Sequence, residues 1–267
     1  MIFASDLDRT LMYSSRAIKE FGRPEGTMLK PVELRDGKWT AFMTDASFSI
    51  LRELSRQSLF IPVTTRTTEQ FKRFFIFEQE ISIKYAITAN GANILVQGHP
   101  MKGWYEHNQK RLHLESVSMP EMLAIMQREG VHLEGERRQA EHLFFYYLLN
   151  CLPTSSEKDT IETLVAKYGW RISLQGRKLY FIPNAISKGN ALEYIRQFEG
   201  TKVFAGAGDS VLDWDFLQHC QHRLVPKHGE LAKMVSGTNI QFITVNRGLG
   251  AGEEILEQVF KLFSFHN

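Results

Sequence analysis

The chain begins with MIFASDLDRT (residues 1–10), in which a short apolar run ends at two carboxylates. The run from Ile2 to Ser5 has the length and composition of a buried strand in a parallel sheet. Asp6 and Asp8 follow it directly, so they are predicted to stand at the end of that strand. Because ligands bind outside the carboxyl ends of strands in such sheets, the stretch indicates both a fold and the place of a site.

Beyond residue 10, strand patterns alternate with helical patterns. The stretch from Arg16 to Lys38 mixes Gly, Pro and charge and predicts a loop. The alternation favours a parallel, doubly wound α/β sheet with right-handed crossovers. The predicted elements are, in order, helix 46–56, strand 59–63, helix 68–77, strands 85–88 and 92–96, helix 188–198, strands 202–205 and 242–245, and helix 253–263.

The segment 98–182 follows a different pattern and is predicted to be a smaller, inserted α+β domain. The rest of the chain, 1–97 and 183–267, is predicted to form the main domain. Ser118 and Glu121 have the spacing of a capping box at the start of a helix. The other predicted elements of the insertion are strand 143–149, helix 156–168 and a hairpin of strands 170–174 and 178–182.

Composition excludes several classes of protein. Of the 267 residues, 43% are hydrophobic and 23% charged, which argues against disorder and against a fibrous chain. A net charge of +2 gives no argument for nucleic-acid binding. Cys151 and Cys220 form neither a disulfide framework nor a CxxC zinc pair. No stretch reaches the about 20 apolar residues of a membrane helix, and the N-terminus is not a signal peptide. We therefore expect a cytoplasmic protein that binds neither nucleic acid nor a membrane.

The strand ends carry an unusual set of side chains for one sheet edge. Carboxylates that converge there repel one another unless a cation lies among them, and oxygen donors with room for water suit magnesium. One carboxylate can attack a phosphorus atom, and a second one two residues on can transfer the proton. A hydroxyl and an ammonium group can hold the phosphoryl oxygens. The candidate residues are Asp6, Asp8, Thr64, Lys188, Asp209 and Asp213.

The order of these residues resembles that of the haloacid dehalogenase-like (HAD) phosphohydrolases. DLDRT (6–10) resembles their first motif, DxDx[TV], and Thr64 corresponds to the second. Lys188 corresponds to the third motif, and GDSVLD (208–213) resembles the fourth, GDxxxD. The insertion resembles the cap of the Cof-type branch, near which sucrose-phosphate and mannosyl-3-phosphoglycerate phosphatases belong. The turn at Asn90 and Gly91 is similar to one that precedes the cap in those proteins.

The resemblance implies a Rossmann-like core with a cap, and a role for each matching residue. Asp6 would be the nucleophile and Asp8 the general acid and base. The implied ligands of magnesium are Asp6, the backbone carbonyl of Asp8, Asp209 and, directly or through water, Asp213. The candidate substrate-binding residues are Thr64, Arg66, Asn90 and Lys188, which lie in or beside the matching motifs, and Arg177, which is a candidate through its place in the hairpin of the insertion.

Two positions depart from the family pattern, and one cap residue stands out. Thr65 and Arg9 stand where many relatives have glycine, which affects the rim of the pocket and removes no catalytic group. Arg177 lies in the hairpin of the insertion, where a guanidinium could contact a polar leaving group, although a solvated turn arginine is the simpler interpretation.

These residues predict a magnesium-dependent phosphatase for a small phosphorylated metabolite, a sugar phosphate or a phosphoglycerate derivative, in a monomer or small homo-oligomer. A phosphomutase remains open, because it uses the same aspartyl phosphate. A non-enzymatic binding module also remains open, although an intact Asp8 argues against it.

The glycine-rich stretch 248–252 does not complete the GxGxxG of a dinucleotide site.

Overall fold

The computed structural model describes residues 1–234 and 239–265. The chain folds as two compact units. The first, here the core unit, consists of residues 1–100 and 188–267, and the second, here the inserted unit, of residues 101–187. Among the described residues, no helix combines the length and the apolar character needed to cross a bilayer.

The elements follow in chain order. The strands are β1 (Ile2–Ser5), β2 (Tyr13–Ser14), β3 (Leu29–Arg35), β4 (Lys38–Thr44), β5 (Leu59–Pro62), β6 (Tyr85–Thr88), β7 (Asn93–Val96), β8 (His99–Pro100), β9 (Gly135–Ala140), β10 (Phe144–Leu149), β11 (Trp170–Gln175), β12 (Lys178–Pro183), β13 (Val203–Ala207), β14 (His222–Val225) and β15 (Phe242–Ile243). The helices are α1 (Ser15–Phe21), α2 (Asp45–Gln57), α3 (Thr68–Phe71), α4 (Ile76–Gln79), α5 (Lys102–Glu115), α6 (Met119–Arg128), α7 (Ser155–Ala166), α8 (Lys188–Glu199), α9 (Trp214–Leu217) and α10 (Gly248–Ser264).

The main sheet of the core unit is parallel, in the order β15-β14-β13-β1-β5. Its central strand β1 is buried along its whole length, which agrees with its continuous apolar sequence. Ser5 at the end of β1 is level with Pro62 of β5 and Ala207 of β13, so three strands end side by side. The predicted doubly wound parallel sheet is confirmed.

Helices cover the sheet through apolar stripes. Phe48, Leu51 and Leu54 form the buried face of α2, and their spacing is the one that predicted this helix. Thr44 caps α2 by accepting the N–H of Ser47 at 2.9 Å, and its hydroxyl also donates to Glu253 of α10 at 2.6 Å. Burial of each large apolar side chain contributes about 1.5–3 kcal/mol, so this core dominates the stability of the unit.

The predicted loop 16–38 is wrong. This stretch forms most of α1 and the whole of β3, which pairs with β4 around a turn at Asp36 and Gly37. Both turn residues have positive φ, +50° and +72°, as a two-residue hairpin turn of this hand requires. Pro31 is tolerated because β3 is an edge strand of the order β2-β4-β3. The Gly, Pro and charged residues of this stretch therefore belong to turns and to an edge strand. The prediction missed that strand, β3.

Two further helix predictions differ from the structure. The helix predicted at 68–77 is two short helices, α3 and α4, with a break between Lys72 and Phe75. Helix α5 was not predicted, because only Trp104 and Asn108 are buried along its length and its apolar residues form no stripe.

The inserted unit is an antiparallel sheet, β11-β12-β10-β9, with helices α5, α6 and α7. Phe145 and Phe181 stack at 4.8 Å between ring centroids on one face of the sheet, close to Trp170. The opposite face carries more polar side chains, among them Tyr146 and Tyr180 with ring centroids 5.1 Å apart. The predicted hairpin is present as β11 and β12.

Candidate active site

The candidate site of the core unit lies where the parallel strands end. Asp6 follows β1, Thr64 follows β5, and the loop of Asp209 follows β13. The N–H of Asp6 donates to the carbonyl of Ala207 at 2.9 Å, and the N–H of Val63 donates to Ser5 at 2.8 Å. These backbone bonds tie the three strand ends together, so the predicted residues meet because the sheet register brings them there.

Lys188 is the first residue of α8, and its ammonium group lies between two carboxylates. Its Nζ donates to Asp6 Oδ1 at 3.1 Å and to Asp213 Oδ1 at 2.5 Å. The side chain is only 1% exposed. Burial alone would lower the pKa of Lys188, but the charges of Asp213 and Asp6 outweigh it and raise the pKa above its usual value. The lysine is therefore a fixed positive charge beside Asp6.

Asp6 is buried and has two partners. Oδ1 accepts from Lys188, and Oδ2 accepts from the hydroxyl of Thr10 at 3.2 Å. Burial raises the pKa of Asp6 to about 7, against the lowering effect of Lys188 and with further raising by Asp213 and Asp8. The ammonium group of Lys188 thus does not fully stabilise the ionised form of Asp6, and a further positive charge near this carboxylate would be favourable.

Three carboxylates form the acidic cluster of the site. Asp6, Asp209 and Asp213 each offer an oxygen, and these three atoms lie within 4.8 Å of one another. Burial, then the charges of Asp6 and Asp213, raise the pKa of Asp209. A set made only of oxygen donors fits a hard divalent cation such as magnesium.

Within that cluster, Asp213 is the residue most occupied by the protein itself. Its Oδ2 accepts the N–H groups of Asp209 and Ser210 and the hydroxyl of Ser210, at 2.9–3.0 Å. Its Oδ1 accepts from Lys188. Gly208 allows this close approach, because a Cβ there would lie 2.4 Å from the Cβ of Asp213. Asp213 therefore shapes the loop that presents Asp209, which agrees with support of a metal through water rather than by direct contact.

Asp8 points to a different partner. Arg66 holds its carboxylate with two bonds, Nε to Oδ2 at 2.6 Å and Nη2 to Oδ1 at 2.8 Å. The guanidinium also binds Glu33 of β3. Arg66 was predicted to bind substrate, and in this structure it contacts two carboxylates of the protein; a contact with substrate stays a prediction. Glu33 was missed because it lies in the stretch predicted as a loop.

Thr64 and Asn90 lie next to each other. Both side chains are fully buried. The N–H of Asn90 donates to the carbonyl of Thr64 at 3.0 Å, and Asn90 has a left-handed backbone with φ of +58°. Neither Nδ2 nor Oδ1 of Asn90 has a hydrogen-bond partner among the described residues. Since a buried amide without partners is costly, this side chain indicates a ligand or water at the site.

Arg9 shows what the missing glycine of the first motif means. Its φ is +66°, in the region that favours glycine. The carbonyl of Arg9 accepts a bond of 2.8 Å from Nε2 of His228, whose Nδ1 accepts the N–H of Gly248 at 3.2 Å. Its guanidinium pairs with Glu20 at 2.7 Å. These contacts stabilise residues 6–10, here called the acidic loop, even though the positive φ of Arg9 is unfavourable for a residue other than glycine.

The glycine-rich stretch 248–252 serves packing. It forms the start of α10, and all five residues are buried. A Cβ on Gly252 would lie 3.1 Å from the carbonyl of Thr10 and 3.3 Å from the ring of Tyr13. Gly252 therefore lets α10 pack directly against the loop that follows β1, and Gly248 lies close to the carbonyl of Gly22 and the side chain of Phe21. Close packing explains these glycines without a dinucleotide.

Arg177 belongs to the inserted unit and lies in the turn between β11 and β12. Its Nε donates to the carbonyl of Leu149 at 2.7 Å, and the N–H of Leu149 donates back to the carbonyl of Arg177 at 2.8 Å. The turn is thus tied to the end of β10. Its role toward a substrate stays a prediction.

Comparisons with known proteins give matches among solved structures only: no family model and no curated protein matches the chain. The sucrose-phosphatase of Synechocystis sp. PCC6803, solved with sucrose and phosphate, has a TM-score of 0.70 at 15% identity over 98% of this chain and 97% of that one. The HAD subclass IIB sugar phosphatase BT4131 has a TM-score of 0.59 at 12% identity, with 98% of each chain covered. The HAD phosphatase BT1666 of Bacteroides thetaiotaomicron has a TM-score of 0.58 at 12% identity over 98% and 94%. The resemblance predicted from the motifs is thus confirmed at the level of the fold: the chain has the fold of these haloacid dehalogenase-type phosphatases.

Proposed function

We propose that the protein is a magnesium-dependent phosphomonoester hydrolase that acts through an aspartyl phosphate on a sugar phosphate or phosphoglycerate derivative. One observation carries the proposal. A buried carboxylate, Asp6, lies beside a buried ammonium group, Lys188, within a cluster of three carboxylates whose oxygens lie within 4.8 Å. This arrangement combines a nucleophile, a fixed positive charge and a set of metal donors at one sheet edge.

The residues divide the proposed chemistry among themselves. Asp6 attacks phosphorus as the bond to the leaving oxygen breaks, and Asp8 gives its proton to that oxygen. Asp8 then takes a proton from the water that cleaves the aspartyl phosphate, which releases phosphate and restores Asp6. Thr64 and Lys188 hold the phosphoryl oxygens throughout. Magnesium, held by Asp6, the carbonyl of Asp8 and Asp209, would supply positive charge to the phosphoryl group.

The class of substrate is supported by the structural neighbours, several of which are sugar phosphatases. We infer that the inserted unit distinguishes leaving groups, because the phosphoryl chemistry resides in the core unit. Arg177 is our candidate there, as a donor to hydroxyl or carboxylate groups of the substrate.

Turnover of p-nitrophenyl phosphate tests the proposal. The wild type should hydrolyse it with magnesium and lose activity in EDTA, with recovery when magnesium is added back. Asp6→Asn should remove activity, because an amide of nearly the same shape cannot attack phosphorus. Asp36→Asn, in an exposed turn, is the matched control and should be fully active. Activity that persists in EDTA or in Asp6→Asn would contradict the proposal.

The two alternative functions give different outcomes. A phosphomutase would move the phosphoryl group to another hydroxyl of a sugar and release little inorganic phosphate, so phosphate release from a panel of phosphorylated metabolites separates it from a phosphatase. A non-enzymatic module would turn over none of these compounds.

A further inference from the structure

Glu33 is a buried carboxylate of β3 that the proposed chemistry does not use. Its side chain is 6% exposed. Oε1 accepts from Nη1 of Arg66 at 2.5 Å, and Oε2 accepts from Nη2 at 3.2 Å. Burial of a carboxylate costs free energy unless it is paired, so this pair holds Glu33 and Arg66 in one geometry.

Arg66 joins Glu33 to Asp8. One edge of its guanidinium faces Glu33, and the other edge, through Nε and Nη2, binds both oxygens of Asp8. The ring of Phe74 lies against its flat face, with the guanidinium carbon 4.1 Å from the ring centroid. A planar, five-donor group held on two edges and one face has little freedom to turn.

The two carboxylates that Arg66 binds differ in exposure. Asp8 is 40% exposed on its side chain, so water competes for its oxygens, whereas Glu33 is almost fully enclosed. Proton transfer requires Asp8 within about 2.6–3.2 Å of the leaving oxygen, and small displacements are expensive. The enclosed Glu33 therefore holds the guanidinium group of Arg66, and that group in turn holds the exposed carboxylate of Asp8.

We propose that Glu33 is a positioning residue that acts through Arg66 to orient the carboxylate of Asp8 for proton transfer. This inference rests on the proposed hydrolase function and adds a residue to it from outside the four motifs. Glu33 touches neither Asp6 nor Lys188 in the contacts described above, so its effect should fall on proton transfer to the leaving group and not on the attack itself.

Two aryl phosphates of similar shape test the inference without knowledge of the natural substrate. Phenyl phosphate needs a proton on its leaving oxygen far more than p-nitrophenyl phosphate does. The ratio kcat/KM includes only the steps up to release of the leaving group, so it leaves out the later attack of water that Asp8 also assists. Glu33→Gln should therefore lower kcat/KM for phenyl phosphate by about tenfold or more, a part of the 10²–10⁴ range of general acid catalysis, and change kcat/KM for p-nitrophenyl phosphate by less than about twofold.

Glu80→Gln is the matched control. Glu80 also pairs with a residue of β3, Lys30, at 2.7 Å, but has no contact with Arg66 among those described. It should leave kcat/KM unchanged for both substrates. A loss confined to Glu33→Gln then belongs to the contact with Arg66 and not to a weakened strand.

A double-mutant cycle links the effect to Asp8. In an Asp8→Ala background, Glu33→Gln should cause no further loss with phenyl phosphate, because the group it positions is gone. An equal loss of kcat/KM with both substrates, or a loss that persists without Asp8, would overturn the inference. If Glu33→Gln does not fold, Arg66→Lys keeps the charge and loses the two-edged geometry, and it must show the same dependence on the leaving group. Absence of turnover in the wild type would instead reject the hydrolase proposal itself.

Discussion

At the scale of single residues, the site carries more negative charge than its own lysine balances. Asp6, Asp209 and Asp213 face one ammonium group, that of Lys188. Repulsion between buried carboxylates destabilises the folded protein, and a bound divalent cation relieves it. The same arrangement that favours chemistry therefore works against stability when no cation is bound.

The first prediction concerns this balance. Asp6→Asn should raise the Tm measured in EDTA by a few degrees, because it removes one buried charge. A gain of about 1 kcal/mol in the free energy of unfolding corresponds to roughly 2–4 °C in a protein of this size. Magnesium should raise the Tm of the wild type and have less effect on the variant. Thermal denaturation with and without magnesium measures both, and a lower Tm for the variant in EDTA would contradict the charge argument.

A second residue, Asn90, is predicted to hold substrate. Asn90→Gly keeps the left-handed backbone, since glycine adopts positive φ freely, and removes only the amide. Loss of a hydrogen bond to a charged group costs about 1.5–3 kcal/mol, so KM for p-nitrophenyl phosphate should rise about tenfold or more. Gln97→Gly, which removes an exposed side chain at another position of positive φ (+48°), is the control for general loop effects. An unchanged KM would mean that the amide binds a structural water.

At the scale of elements, α10 and the acidic loop are joined by one histidine. His228 accepts from the first N–H of α10 and donates to Arg9, and its ring lies 4.3 Å from that of Phe21. Burial lowers the pKa of His228, the bond to the carbonyl of Arg9 raises it in part, and the charges of Arg9 and Arg247 lower it again, so the pKa stays below its usual value. Protonation would remove the acceptor at Nδ1, so the neutral ring is the form that fits.

The third prediction gives this contact a pH dependence. In the unfolded chain a histidine takes up a proton near pH 6.5, whereas His228 in the folded protein resists it to lower pH. The stability of the wild type should therefore fall, relative to His228→Gln, as the pH drops below about 6.5, and the difference should be constant above it. Tm values of both proteins from pH 5 to pH 8 measure this, and parallel curves throughout would contradict it.

The sequence correctly predicted those helices and strands whose apolar residues form a clear local pattern. The 3–4 spacing of Phe48, Leu51 and Leu54 predicted α2 to within one residue at each end. The same reasoning failed for β3, whose proline and charges are tolerated only because it is an edge strand. It also failed for α5, where the burial of two residues depends on tertiary contacts.

The candidate site shows the same division. Asp6, Lys188, Asp209 and Asp213 were found because each follows a strand or opens a helix, and the sheet register then brings them together. Glu33 could not be found this way. It belongs to a small antiparallel sheet whose place beside Arg66 depends on the fold and on no local pattern.

At the scale of the whole molecule, chemistry and discrimination are predicted to reside in different units. The residues proposed for phosphoryl transfer all belong to the core unit, and Arg177 belongs to the inserted unit. Arg177→Ala should lower kcat/KM about ten- to hundredfold for the best sugar phosphate of a metabolite screen, as loss of a bond to a charged group implies. It should leave p-nitrophenyl phosphate unaffected. Arg128→Ala, an exposed arginine of the same unit, is the control, and equal ratios for both substrates would reject the role of Arg177.

The end of the inserted unit has a practical meaning for transplanting it between relatives. Residues 185–187 are buried, and two arginines hold their backbone: Arg111 donates to the carbonyl of Ala185 at 3.4 Å, and Arg171 to that of Ile186 at 2.9 Å. Lys188 comes next, with no spacer between. A chimera joined after residue 184 would separate these two carbonyls from the arginines that donate to them. A joint between residues 187 and 188 instead transfers residues 185–187 together with both arginines. The joint that keeps these contacts intact thus lies directly beside Lys188, the residue proposed to hold the phosphoryl oxygens.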